Sequence, residues 1–207
     1  MIAIVDYGVG NLFSLKSSFA AIGADAIVTS SADAIRGADK IVLPGVGAFS
    51  AAVEKLEESG LYPVVIDEAR KGKPFLGICL GMQMLFERSF EDGVYEGLSL
   101  LSGEVRSIGE VIPADYKIPH IGWNALRFVK DCPLFKYIKE GDFVYFVHSF
   151  YASNCEESVA AVADYGAPLT ACVQKGNIFG CQFHPEKSGE VGLKMLKAFV
   201  EYEGEKQ

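Results

Sequence analysis

The stretch Pro74-Phe75-Leu76-Gly77-Ile78-Cys79-Leu80-Gly81-Met82-Gln83 constrains the fold of this chain more than any other. A short apolar run that opens into Gly-x-Cys-x-Gly reads as a strand turning sharply into a helix, with Cys79 thrown out at the corner. Glycines two residues before and after the cysteine keep β-carbons away from a crowded backbone. The rest of the first half supplies the setting for such a corner. Ile2-Ala3-Ile4-Val5 leads into an amphipathic segment from Asn11 to Ile22, and Lys40-Ile41-Val42-Leu43 leads into another from Phe49 to Ser59. A further helix is expected over Tyr62 to Lys71. Strands alternating with helices predict a parallel sheet. In the first helix Leu12, Leu15, Phe19 and Ile22 share one face, with Asn11 placed to cap its start and Gly23 its end.

Beyond about Gly97 the pattern changes to closely spaced strand candidates, among them Phe143 to Val147 and Leu169 to Val173, so antiparallel pairing is expected. Lys175-Gly176-Asn177 reads as a hairpin tip returning the chain as Ile178 to Phe183, and a last helix runs from about Gly189 to Tyr202. The fold class is therefore α/β: an open, mostly parallel central sheet flanked by helices, with an antiparallel extension in the second half. With 207 residues, half of them hydrophobic, one sizeable core and a single domain over 1–207 are expected.

A net charge of −8 repels phosphate backbones and argues against nucleic acid as a partner. No apolar run approaches the ~18 residues of a membrane span, and Met1 to Asp6 has neither the basic start nor the apolar length of a signal peptide. A cytoplasmic location is expected, in which five unpaired thiols are ordinary.

At the start of a helix, Cys79 gains two chemical advantages. The helix N-terminus favours the thiolate, and the free N–H of Leu80 can donate to an oxyanion. The competing reading is a small buried residue, as free cysteines often are. Cys132, Cys155, Cys172 and Cys181 lack flanking glycines and metal-knuckle spacing, and structural roles are expected for them. No metal site and no cofactor is called for.

A base is offered by His184 in Gln182-Phe183-His184-Pro185-Glu186. Residues two apart on an extended segment point the same way, so Glu186 would hold the imidazole in one tautomer and stabilise the imidazolium. His148 lacks a carboxylate at the same spacing. Cys79 and His184 both follow strands, and open α/β sheets carry their sites at the carboxyl ends of strands. A second oxyanion donor is sought in Leu43-Pro44-Gly45-Val46-Gly47-Ala48-Phe49, from the N–H of Val46 or of Gly47, against the alternative of a plain structural turn. The loop Asp6-Tyr7-Gly8-Val9-Gly10-Asn11 lacks the third glycine of a dinucleotide fingerprint and is read as a tight turn.

With Gly77-Ile78-Cys79-Leu80-Gly81-Met82-Gln83 and His184-Pro185-Glu186 in place, the chain resembles triad-type glutamine amidotransferases, whose flavodoxin-like domains release ammonia from L-glutamine. Asp6 to Leu12, Pro44 to Phe49, Ile121-Gly122-Trp123-Asn124, Phe146 to Tyr151 and His184 to Ser188 are similar to one branch, the glutaminase subunits of imidazole glycerol phosphate synthases. The resemblance implies glutamine contacts from Gln83, His148, Ser149 and Phe150, the last standing where many members carry tyrosine. It also implies a (β/α)₈ barrel cyclase subunit as heterodimer partner in histidine biosynthesis, met near Asn11, Trp123 and Lys187. Plain core burial is the rival for Trp123, and a polar helix position the rival for Gln83. The short tail after Glu186 leaves no room for a synthase, so the acceptor chemistry is expected on another chain. A cysteine peptidase would share the elbow without needing Gln83 or the second-half motifs, and a non-enzymatic subunit would tolerate loss of Cys79.

Overall fold

A computed structural model describes residues 1–204; the last three residues of the expected 1–207 domain lie outside the described residues. The first half alternates as its periodicity predicts: β1 (Ile2–Val5), α1 (Leu12–Ala21), β2 (Ala26–Thr29), α2 (Ala32–Gly37), β3 (Lys40–Gly45), α3 (Phe49–Glu58), α4 (Tyr62–Arg70), β4 (Phe75–Cys79) and α5 (Leu80–Gln83). The second half is mostly strands: β5 (Arg88–Ser89), β6 (Tyr95–Glu96), β7 (Glu104–Ser107), β8 (His120–Ala125), β9 (Arg127–Phe128), β10 (Phe143–His148), β11 (Phe150–Ser153), β12 (Val159–Asp164), β13 (Pro168–Lys175) and β14 (Ile178–Cys181). The helix α6 (Gly189–Glu201) follows.

The main sheet has the order β2-β1-β3-β4-β14-β13-β12-β9. Pairing is parallel from β2 to β14 and antiparallel from β14 to β9, which is the expected mixed sheet. β13 and β14 form the predicted hairpin, with Lys175 opposite Ile178 and Gly176 at φ 55 in the tip. The strand at Phe143 is antiparallel, as expected of the second half, but lies outside this sheet. It pairs with β8 as a separate two-stranded ribbon, and β11, β7, β5 and β6 make a third small sheet.

Side chains alternate across the main sheet with period two, as a strand must. From β1, Ala3 and Val5 enter one core with Ala52, Leu56, Val64 and Val65 of α3 and α4, while Ile2 and Ile4 enter the opposite core. That second core holds Leu15 and Phe19 of α1 with Met195, Leu196 and Phe199 of α6, so the predicted α1 stripe is the buried one. Each fully buried Val, Leu, Ile, Phe or Met among them stabilises the fold by about 1.5–3 kcal/mol. Gly23, at φ 72, donates its N–H to Ala20 O and closes α1 as expected. Asn11 occupies the cap position, but its side chain makes no capping hydrogen bond. No helix among the described residues is long and apolar enough to cross a membrane.

β2 and α2 escape the sequence periodicity. β2 is a half-buried edge strand, and α2 is a short helix capped by Ser31, whose side chain accepts from Ala34 N–H at 3.3 Å. Neither is long enough to show a period.

Candidate active site

β4 is buried throughout and ends at Cys79, whose backbone sits at φ 53 and ψ −111. A non-glycine residue held at such a positive φ stores roughly 1–3 kcal/mol of strain, and the crowding around it explains why the chain cannot relax. A β-carbon on Gly77 would stand 2.6 Å from the Gly81 carbonyl oxygen, and one on Gly81 only 1.9 Å from that of Leu43. Gly45 meets the same limit, 2.7 Å from the Gly81 nitrogen. Three backbones therefore pack in contact where no side chain fits, and the Cys79 side chain is directed away from them.

The elbow helix is short. α5 is a single turn, Leu80 to Gln83, with little dipole of its own. His184 lines the same cleft as Cys79. Cys79 is 7% exposed, nearly buried.

His184 lies just beyond β14, the parallel neighbour of β4, in which Cys181 pairs with Ile78. Its backbone N–H donates to Tyr145 O at 3.0 Å, and Ser188 Oγ donates to its carbonyl at 2.6 Å. The His184 Nδ1–H donates to Glu186 Oε1 at 2.9 Å, and both side chains are only 3% exposed. The route differs from the expected extended segment: Pro185, with its fixed φ, starts a 3₁₀ turn over Pro185–Lys187 that swings the carboxylate back onto the ring. Burial pushes the imidazolium towards deprotonation, but the hydrogen bonds and charges of Cys79 and Glu186 outweigh it and raise His184 to about 9. Glu186 Oε2 is buried with no hydrogen-bond partner among the described residues, which leaves this carboxylate committed to His184.

These groups open onto a cleft of about 320 Å³. It brings together Cys79, Leu80 and His184 with Val46 and Gly47 of the loop after β3, and with Gln83, His148, Ser149 and Phe150. Gly47 is at φ 92, open to glycine and strained for other residues. Gln83 is more than a polar helix residue: its Nε2 donates to Phe150 O and to Gln182 Oε1, each at 3.0 Å. Gln182 in turn approaches Cys79 Sγ through its Nε2 at 3.7 Å. The other four cysteines are buried, and burial pushes their thiols up, to about 11 for Cys132 and Cys155 and well above the ordinary value for Cys172 and Cys181.

Sequence reasoning missed two side chains that set the loop after β3. Glu91, which lines the cleft, accepts the Phe49 N–H through Oε2 at 2.7 Å and so pins the loop where α3 begins. Tyr7, from the turn after β1, donates its O–H to Pro44 O at 2.8 Å, and burial raises its phenol well above the usual range. Glu91 stands in an Asp-Gly turn that resembles any solvated loop, and Tyr7 in a glycine turn, so neither carries a local signal of this role.

Asn11, Trp123 and Lys187 do not line the cleft. Trp123 is 54% exposed, which overturns plain core burial. On the β8–β10 ribbon it shares the outer face with Ile121 and Phe143, both more than half exposed, and its ring reaches within 4.0 Å of the side-chain position at Gly189. Lys187 is exposed at the end of the 3₁₀ turn nearby.

A strained cysteine at a strand-to-helix corner, with a carboxylate-bound histidine at the same cleft, is the arrangement expected of one class. The chain belongs to the class-I glutamine amidotransferases, whose family model matches residues 3–202. Within that class its relatives include subunits of imidazole glycerol phosphate synthase. It is 51% identical over 202 residues to the subunit HisH of Caldanaerobacter subterraneus subsp. tengcongensis, covering 97% of this chain and 98% of that one. The HisH subunit of Oceanobacillus iheyensis is 50% identical over 203 residues, with the same shares covered. Among solved structures, one described as PurLQS from Thermotoga maritima superposes with a TM-score of 0.73 at 19% identity over 96% of each chain. Another, described as a glutamine amidotransferase, gives 0.75 at 18% identity over 97% of this chain and 98% of that one.

Proposed function

We propose that this protein hydrolyses L-glutamine to L-glutamate and ammonia as the glutaminase subunit of an imidazole glycerol phosphate synthase, handing the ammonia to a separate cyclase subunit. The observation that carries the reading is the strained Cys79 beside a His184 whose Nδ1 is 2.9 Å from Glu186, at a cleft where Leu80, Val46 and Gly47 gather. Glu186 orients His184 so that Nε2 faces Cys79 Sγ and holds the proton the pair shares, in keeping with a His184 raised to about 9, and the sulfur is the attacking group. The thiolate attacks the side-chain carboxamide carbon of glutamine. The oxyanion that forms is received by the N–H of Leu80 and that of Val46 or Gly47. The imidazolium returns its proton to the departing nitrogen, and ammonia leaves with a γ-glutamyl thioester on Cys79. Water then gives a proton to His184 and attacks the thioester, releasing glutamate and restoring the thiol. In the same reading Glu91, a cleft carboxylate outside the triad, suits the α-ammonium group of the substrate, with Gln83, His148, Ser149 and Phe150 holding the remainder.

The cyclase subunit is a (β/α)₈ barrel that uses ammonia to form imidazole glycerol phosphate and an aminoimidazole carboxamide ribotide in histidine biosynthesis. Supporting this, the ribbon's outer face presents Ile121, Trp123 and Phe143 to solvent beside the cleft residue Val147, a composition suited to a protein partner. Asn11 and Lys187 belong to the same docking region, the chain acts as one domain, and the complex works in the cytoplasm. The test is ammonia release from glutamine by the chain alone and with the barrel subunit and its nucleotide substrate. Low turnover alone and stimulation in the loaded complex are expected; equal turnover in both would refute the coupling.

A further inference from the structure

All three histidines are buried, and two of them lie outside the triad. His120 on β8 pairs directly with His148 on β10, so both side chains sit on the inner face of the ribbon. His120 Nδ1 is 3.0 Å from His148 Nε2, and His148 Nδ1 is 2.8 Å from the Phe150 carbonyl oxygen. A carbonyl oxygen only accepts, so His148 carries a proton on Nδ1. Burial, the largest cause for both rings, holds His120 and His148 down to about 4, and each therefore bears a single proton at neutral pH. With Nδ1 protonated, His148 Nε2 is a lone pair and His120 must donate to it from Nδ1.

That leaves His120 Nε2 as an acceptor, and the group facing it is the amide nitrogen of Asn124 at 3.4 Å. The orientation of this amide is fixed independently. Asn124 Nδ2 donates to Asp164 O at 3.0 Å, while its Oδ1 accepts the Ala125 N–H at 2.8 Å. Every proton in the chain thus points from β8 towards the Phe150 carbonyl. The His120 ring is also stacked between Tyr165 at 4.1 Å and Phe146 at 4.9 Å, which opposes its turning over.

The Phe150 carbonyl receives a second donor, Gln83 Nε2, from the elbow helix. His148, Ser149 and Phe150 all line the cleft. We infer that His120 is a positioning residue: by donating to His148 it locks the Nδ1–H tautomer, and through it holds the Phe150 peptide and the cleft segment His148–Phe150 in place for substrate. The inference deepens the proposed glutaminase reading, since it takes that cleft to be the glutamine site.

His120→Phe keeps a ring in the Phe146–Tyr165 stack but removes the donor, whereas His120→Asn offers an amide N–H near the Nδ1 position. In ¹⁵N spectra of the wild-type chain, His148 is expected as the Nδ1–H tautomer, shifting towards Nε2–H in His120→Phe. In the substrate-loaded complex the KM for glutamine should rise about tenfold in His120→Phe with kcat within about twofold of wild type, and His120→Asn should restore most of the loss. A wild-type Nε2–H tautomer overturns the inference. So does an unchanged KM in His120→Phe, or an equal loss in His120→Asn. Failure of the glutaminase reading is separable, because it appears as a wild type that does not hydrolyse glutamine while the spectra still report the tautomer.

Discussion

The elbow and the β8–β10 ribbon meet at one cleft but are built in opposite ways. At the elbow the backbone is the constraint: Gly45, Gly77 and Gly81 leave no room for a β-carbon, and Cys79 is forced to φ 53. At the ribbon the side chains are the constraint, with His120, His148 and Asn124 joined end to end and Phe146 and Tyr165 stacked on His120. The position of Cys79 is set by sterics over a few neighbouring residues. The ribbon side of the cleft is set by strand register and by where protons lie.

The largest effect that would sharpen this contrast is expected from Gly81→Ala. The new β-carbon would lie 1.9 Å from a backbone oxygen that cannot move without shifting β3, so a loss of about 3 kcal/mol or more in chemical denaturation is expected, with little soluble glutaminase. Wild-type stability in this variant would mean that the elbow is not held by packing.

Glu186→Gln comes next and tests whether side-chain electrostatics matter at the elbow too. Losing the carboxylate should lower kcat about a hundredfold with the fold intact. The pH dependence has a definite sign. His184 is raised to about 9, so its protonated form is favoured by folding. That stabilisation is complete below the unfolded value of about 6.5 and is lost as pH rises through about 9. Denaturation of the wild type should therefore show a fall in stability across that window, and the fall should be smaller in Glu186→Gln. An equal fall in both would place the coupling elsewhere.

The same contrast explains what could be read from the sequence. The elbow was legible because its glycines and cysteine are adjacent, and α1 because Leu15 and Phe19 repeat at helical spacing. The mixed sheet followed from alternation in the first half and turn spacing in the second. The ribbon was not legible: the strand at Phe143 carries an apolar pattern, but nothing local says that it pairs with His120 to Ala125 instead of the main sheet. Glu186 was found for a partly mistaken reason, since a 3₁₀ turn brings it to His184 where an extended segment was expected. Tyr7 and Glu91 were missed because each acts across the fold, on Pro44 and Phe49, through a single hydrogen bond.

The central claim is that Cys79 is the group that attacks glutamine. Rapid acid quench of the complex during turnover, followed by peptide mass analysis, reads it directly. One γ-glutamyl group is expected on the peptide carrying Cys79, and neither adduct nor ammonia from Cys79→Ala. A glutamyl adduct on another residue, or continued ammonia release by Cys79→Ala, would contradict it.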